Sequence, residues 1–239
     1  MQSAATLLGR VAELPSEAAI LLDVDGTLAP IVARPEDARV PEGTRRELAR
    51  LAESYALVAC ISGRPGEGAA RVVGVEGIRY VGEHGLELEP EAEEWAGRLH
   101  AFAETVRWPA EPGKRLSLSF HYRAAADHKA AEAYLGEVAA RAVAEGLRPR
   151  FGRKVLEIRP PLQADKGTAV RRLVGEARVS RALYAGDDTT DLDAFCALDG
   201  LEVAIRVAVA SDEAPDELLA AADLVVAGPD GLAALLRRL

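Results

Sequence analysis

AILLDVDGTLAP, residues 19–30, runs from an apolar stretch straight into two carboxylates one residue apart, then a glycine and a hydroxyl. A strand buried on both faces reads as an unbroken apolar run, and this one closes on Asp23, Asp25, Gly26 and Thr27. The same device recurs along the chain. ALVACIS ends at Ser62 and continues into Gly63 and Arg64; IRYVG leads into Glu83, His84 and Gly85; ALYAGDD ends on Asp187 and Asp188. LEVAIRV and ADLVVA follow. Between these runs, EGTRRELARLAESY, DKGTAVRRLVGEAR and DGLAALLRRL carry apolar residues at helical spacing, with caps expected at Thr44, Asp165 and Asp230. The alternation predicts an α/β fold, a parallel sheet of Rossmann-like character covered by helices on both faces.

Residues 88–162 have a different texture. In KRLSLSFHYR, Leu116, Leu118, Phe120 and Tyr122 fall on one face, and Arg115, Ser117, Ser119, His121 and Arg123 on the other. RKVLEIRP repeats the pattern, with Leu156 and Ile158 opposed to Glu157 and Arg159, and the helical stretch HKAAEAYLGEVAARAVAEG lies between the two. This reads as an inserted α+β domain over 88–162. It divides a core formed by 1–87 and 163–239.

The length, 239 residues, suffices for a sizeable core, and 49% hydrophobic with 28% charged residues is an ordinary globular balance. No apolar run approaches a membrane span, and Arg10, Glu13 and Glu17 interrupt the opening segment, so we expect neither a signal peptide nor a membrane partner. Cys60 lies in an apolar run far from Cys196, which fits a reducing, cytoplasmic compartment. With 29 basic against 38 acidic residues and a net charge of −9, a nucleic-acid-binding face is not expected. A small anionic substrate remains compatible, because a few placed cations suffice for one pocket.

In an open parallel sheet, ligands bind beyond the carboxyl ends of the strands, where these polar residues collect. Asp25-Gly26 could be a simple turn and GDDTTD a simple helix start. Neither explains why Asp23, Asp25, Asp187 and Asp188 should converge, since unpaired carboxylates repel one another. A hard divalent cation removes the conflict, and oxygen ligands suit Mg²⁺. A calcium loop is excluded, because Thr27 and Arg34 stand where further oxygen ligands are required. Zinc fits poorly: His84, His100, His121 and His128 lack ligand spacing, and the cysteines form no pair motif. There is also no G-x-x-x-x-G-K-[ST] phosphate loop. A cation beside a carboxylate able to attack, with Thr27, Ser62 and Lys166 to hold oxygens, suits phosphoryl transfer through an aspartyl-phosphate.

D-x-D-G-T after a strand, then S-G-R, a lysine opening a helix and G-D-D-x-x-D, in that order, resemble the haloacid dehalogenase superfamily of phosphatases. More narrowly, VGEHGLE, Lys114 seven residues before HYR, and VLEIRP resemble trehalose-6-phosphate phosphatases. The resemblance implies that Asp23 is the nucleophile and, with the backbone carbonyl of Asp25 and the side chain of Asp187, binds Mg²⁺. It implies Asp25 as general acid and base, and Ser62, Gly63, Thr27 and Lys166 around the phosphoryl group. Asp188 and Asp191 would order metal-bound water and the loop. The insert would be a cap recognising the sugar through Lys114, Ser117, His121, Arg123 and Glu157, with Arg64, Glu83 and His84 reaching it from the core. One departure is Pro112, two before Lys114, where similar enzymes often carry an acid; Glu111 stands one place earlier. The activity implied is Mg²⁺-dependent hydrolysis of trehalose 6-phosphate by a monomer acting after a trehalose-phosphate synthase. Alternatives are a sucrose-phosphate or mannosyl-3-phosphoglycerate type of phosphatase, phosphotransfer to another sugar, and a non-catalytic sugar-phosphate-binding domain.

Overall fold

The computed structural model describes residues 4–32, 34–152 and 154–239. The chain begins with α1 (Ala4–Ala12), β1 (Ala18–Leu22), α2 (Glu42–Ser54), β2 (Leu57–Ile61), α3 (Gly66–Val73) and β3 (Arg79–Val81). There follow α4 (Ala92–Glu104), β4 (Leu118–His121), α5 (His128–Ala144), β5 (Arg148–Gly152) and β6 (Val155–Arg159). The last stretch forms α6 (Lys166–Ala177), β7 (Arg181–Gly186), α7 (Asp191–Ala197), β8 (Val203–Ala210), α8 (Asp216–Ala221), β9 (Leu224–Ala227) and α9 (Gly228–Leu236). The chain divides into two compact units, Met1–Gly85 with Ala164–Leu239, and Leu86–Gln163.

The first unit is built on a parallel sheet of order β3-β2-β1-β7-β8-β9. Every residue of β1 is buried, as its unbroken apolar run requires of a strand covered on both faces. Leu22 pairs with Cys60 on one side and Ala185 on the other, so Asp23 emerges between two neighbouring strands. Its amide donates to the Ala185 carbonyl at 2.9 Å. The strand order reverses at β1 and β7, and the crevice beyond their carboxyl ends is the topological switch point. Leu8 and Val11 of α1, Leu48 and Leu51 of α2, and Leu232, Leu235 and Leu236 of α9 pack one core face.

Two of the expected helix caps are corrected. In α2 the position before the helix is Pro41, so Thr44 lies inside the first turn, buried on the same stripe as Leu48 and Leu51. In α9 the cap is Ala227 and Pro229 occupies the first turn, which leaves Asp230 inside it as a favourable charge at the positive end of the helix. Asp165 does cap α6: it accepts from Thr168 N at 2.7 Å, while its own amide donates to Thr168 Oγ1 at 3.0 Å.

The second unit carries an antiparallel sheet of order β4-β6-β5. Leu118, Phe120 and Tyr122 join Leu156 and Ile158 in a core closed by Leu99 and Phe102 of α4 and Leu135, Val138 and Ala142 of α5. On the opposite face His121 is exposed, but Ser117, Ser119 and Glu157 are buried, so that face is only partly solvated. Sequence periodicity missed β5, because Pro149 and its charged neighbours break the apolar pattern. It is tolerated because β5 is an edge strand paired only with β6. No helix among the described residues is long and apolar enough to cross a membrane.

Candidate active site

A tight turn follows β1, with Leu28 N and Ala29 N both donating to the Val24 carbonyl, at 2.9 and 2.8 Å. Gly26 takes a φ of 84° within it, and a Cβ there would come 2.1 Å from Asp187 Oδ2, so only glycine lets β1 and β7 end this close together. Thr27 Oγ1 donates to Asp187 Oδ1 at 3.2 Å. The result is a buried cluster in which oxygens of Asp23, Asp187 and Asp191 lie within 4.8 Å of one another.

One lysine enters this cluster. Lys166, the first residue of α6, is 3% exposed and places Nζ 2.8 Å from Asp23 Oδ1 and 2.7 Å from Asp191 Oδ1. Burial alone would lower its pKa, but the charges of Asp191 and Asp23 outweigh that and hold it well above its ordinary value. The cluster is thus three carboxylates against one fixed cation. Burial pushes Asp23 well above the carboxylate range, with Lys166 opposing and Asp191 and Asp187 adding to the shift. Burial, then the Asp191 charge, pushes Asp187 up to about 7.

Asp191 is saturated by donors. Oδ1 accepts from Lys166 Nζ and from Tyr184 Oη, each at 2.7 Å, and Oδ2 accepts from the amides of Asp187 and Asp188, each at 2.9 Å. A carboxylate offers about four lone-pair sites, so Asp191 has little capacity left and acts as the anchor of its loop. Asp23 and Asp187 keep capacity for a cation. An excess of buried carboxylate over cationic charge at this spacing fits a divalent metal ion with oxygen ligands. The Asp188 carboxylate instead accepts from Thr189 N at 2.7 Å, and the cluster of three does not include it.

The shift of Asp187 has a sign that can be tested. A carboxyl whose folded pKa exceeds its ordinary 3.8 binds its proton more tightly in the fold. Its contribution to stability is full below that ordinary value and is lost as pH rises through about 7. In metal-free protein, Asp187→Asn should therefore change the melting temperature little near about pH 4 and raise it over the parent near about pH 8. A difference between parent and variant that stays flat across this range would refute the account.

The second and third strand ends form the next group. Ser62 is buried, its carbonyl accepts from His84 N at 2.9 Å, and its Oγ accepts from Arg64 N at 3.2 Å. A Cβ at Gly63 would stand 2.6 Å from His84 Nε2, so any larger residue there would have to push the imidazole aside. Glu83 and His84 take left-handed φ values of 49° and 56°, a conformation that costs roughly 1–2 kcal/mol per non-glycine residue. Such strain is retained where surrounding contacts fix a functional backbone. Arg64 reaches Asp25 through two bonds, Nε to Oδ2 at 2.6 Å and Nη2 to Oδ1 at 2.8 Å.

The remaining expected site residues lie in the second unit. Lys114 Nζ donates to Ser119 Oγ at 2.7 Å and stands 3.5 Å from Glu111 and 3.6 Å from Glu157. His121 Nε2 lies 3.1 Å from Glu111 Oε2, and Arg159 donates to Glu157 Oε2 from Nε at 2.8 Å. Burial raises Glu111, but the bond with His121 and the Lys114 charge outweigh it, so its pKa falls below the ordinary value. Ser117 is buried beside β4, whereas Arg123 lies past the end of that strand and is exposed. The expected residues therefore form two groups, one in each unit.

Sequence reasoning did not assign a site role to Tyr184, Ser119 or Arg159. Tyr184 sits in an apolar run and reads as core. Arg159 alternates with Glu157 two residues away on one strand face, which was a usable signal for their pairing.

The family model described as trehalose-phosphatase matches residues 21–110 and 113–221. A trehalose-phosphate phosphatase of Mycobacterium avium is 37% identical over 207 residues, covering 76% of this chain and 51% of that protein. The chain spans about half the length of the curated relatives it matches. Among solved structures, the C-terminal domain of a trehalose-6-phosphate phosphatase of C. albicans superposes with a TM-score of 0.75 at 23% identity, covering 97% of this chain and 95% of that one. A haloacid dehalogenase-like hydrolase of Bacteroides thetaiotaomicron superposes with a TM-score of 0.59 at 18% identity, covering 92% and 98%.

Proposed function

The chain belongs to the trehalose-phosphatase family, and from that premise we propose that it hydrolyses trehalose 6-phosphate to trehalose and inorganic phosphate. The observation that carries this reading is the contact of Lys166 with Asp23 inside a buried cluster that also holds Asp187 and Asp191. A binding module has no need of an attacking carboxylate held by a buried lysine.

In the first step Asp23 attacks phosphorus and the bond from phosphorus to the sugar oxygen breaks, giving an aspartyl-phosphate. Asp25 protonates the departing oxygen. In the second step Asp25 takes a proton from water, which attacks the same phosphorus and returns Asp23 with release of phosphate. Lys166 opposes the effect of burial on Asp23, and with Ser62, Gly63 and Thr27 it receives the phosphoryl oxygens. Mg²⁺, held by Asp23, the Asp25 carbonyl and Asp187, would neutralise charge on those oxygens. Asp188 and Asp191 order the loop that presents Asp187.

The second unit is the cap in this reading. Lys114, Ser117, His121, Arg123 and Glu157 are then the sugar-hydroxyl ligands of the second unit, and Glu83 and His84 those of the core unit. A polar site of this kind discriminates between disaccharides through hydroxyl positions that an apolar wall would not distinguish. We place the chain as a monomer in a reducing compartment, acting on the product of a sugar-transferring synthase.

The test is phosphate release from trehalose 6-phosphate, sucrose 6-phosphate and a mannosyl phosphoglycerate, with Mg²⁺ and after chelation. We expect trehalose 6-phosphate to be preferred and chelation to stop turnover. Equal use of the three substrates would overturn the specificity, and undiminished turnover after chelation would overturn the role of the cation.

A further inference from the structure

Arg64 was expected to touch substrate, yet its guanidinium lies against Asp25. Two parallel bonds join them, 2.6 Å from Nε to Oδ2 and 2.8 Å from Nη2 to Oδ1. This bidentate fork fixes the plane of the carboxylate as well as its position. Nη1 also donates to the Pro35 carbonyl at 3.0 Å, on the loop that follows the β1 turn. The backbone of Arg64 is held from both sides, its amide by Ser62 Oγ at 3.2 Å and its carbonyl by Glu83 N at 2.8 Å. The arginine is therefore the fixed partner. Asp25, whose side chain is 32% exposed, is the one being oriented.

We propose that Arg64 is a positioning residue that aims Asp25 at the leaving oxygen, an inference that rests on reading Asp25 as the proton donor and acceptor. The fork occupies one lone-pair site on each carboxylate oxygen, and each oxygen keeps another for the proton in transit. Holding an acid in line matters in proportion to the leaving group's need for a proton. A sugar alkoxide leaves poorly unless protonated, whereas nitrophenolate leaves unaided. Loss of the fork should therefore separate two substrates that share one phosphoryl site.

The experiment measures kcat and KM of the parent, Arg64→Lys and Arg64→Gln on trehalose 6-phosphate and on p-nitrophenyl phosphate, with melting curves for each protein. Lysine keeps the charge but cannot form the fork. We expect kcat on the sugar phosphate to fall by about 10- to 100-fold with KM little changed in both variants. Turnover of the aryl ester should fall distinctly less, because its leaving group needs no proton and only the attack of water on the aspartyl-phosphate calls on Asp25. Parallel losses on both substrates, or a rise in KM at constant kcat, would overturn the proposal in favour of a scaffold or direct substrate contact. A parent chain inactive on both substrates would remove the phosphatase reading and this role together, a result distinct from failure of the positioning role alone.

Discussion

Asp23→Asn should reduce phosphate release from trehalose 6-phosphate by about 10⁴-fold or more while leaving the metal-free chain at least as stable as its parent. The amide keeps the shape of the side chain and can still accept from Lys166, which stands 2.8 Å from Asp23 Oδ1. It cannot attack phosphorus. Stability should hold because the buried carboxyl is already pushed well above its ordinary range by burial and by the charges of Asp191 and Asp187. Removing that charge relieves repulsion in a site with little water. Phosphate assays and melting curves of the metal-free proteins decide the matter. Turnover near the parent rate would eliminate Asp23 as the nucleophile, and a large drop in melting temperature would show that its charge is structural.

Lys166→Met should be damaging in both respects. The ammonium is 3% exposed and bridges Asp23 and Asp191, so its removal leaves three buried carboxylates without a fixed cation. Breaking one partner out of a buried ion cluster typically destabilises by about 3–5 kcal/mol. For a chain of this size that lowers the melting temperature by roughly 10 °C. Under the proposed mechanism turnover should fall as well, by about 10²-fold or more, because the charge assigned there to the developing phosphoryl oxygens is lost. Divalent cation should restore more stability to the variant than it adds to the parent. A variant that melts with the parent in chelator would show that the carboxylates are protonated and need no lysine.

The parts of the molecule that sequence could reveal share one property: their signal is local. The buried run ending at Asp23, the runs ending at Ser62 and Gly186, and the box at Asp165 each carry apolar continuity or fixed-offset polar chemistry within a few residues. Because parallel strands direct their carboxyl ends to one edge, those local signals were enough to place the polar ends together. What sequence did not reveal depends on which distant atom a side chain meets. Tyr184 is in an apolar run, yet its hydroxyl ends 2.7 Å from Asp191 Oδ1, a bond that only the path of α7 determines. Arg64 follows a serine and a glycine as a substrate contact might, but its partner is 39 positions away. Thr44 has cap chemistry in sequence and lies one turn too late, because Pro41 starts the helix. The edge strand β5 lacks a hydrophobic pattern because nearly all of its residues stay exposed, so nothing selects for an apolar face.

The place of β1 between β2 and β7 bears on how the protein is made. Thr27 and Asp187 meet across 160 positions of chain, and β1 cannot acquire its second neighbour until β7 exists. Closing so long a loop is entropically slow compared with forming the nearby β1–β2 pair. During translation the central strand therefore waits with one bare edge, a template for wrong pairing. A nascent chain that has emerged only through β6 carries the proposed nucleophile but neither its lysine nor the far carboxylate. Chemical competence arrives late and all at once, with the last third of synthesis.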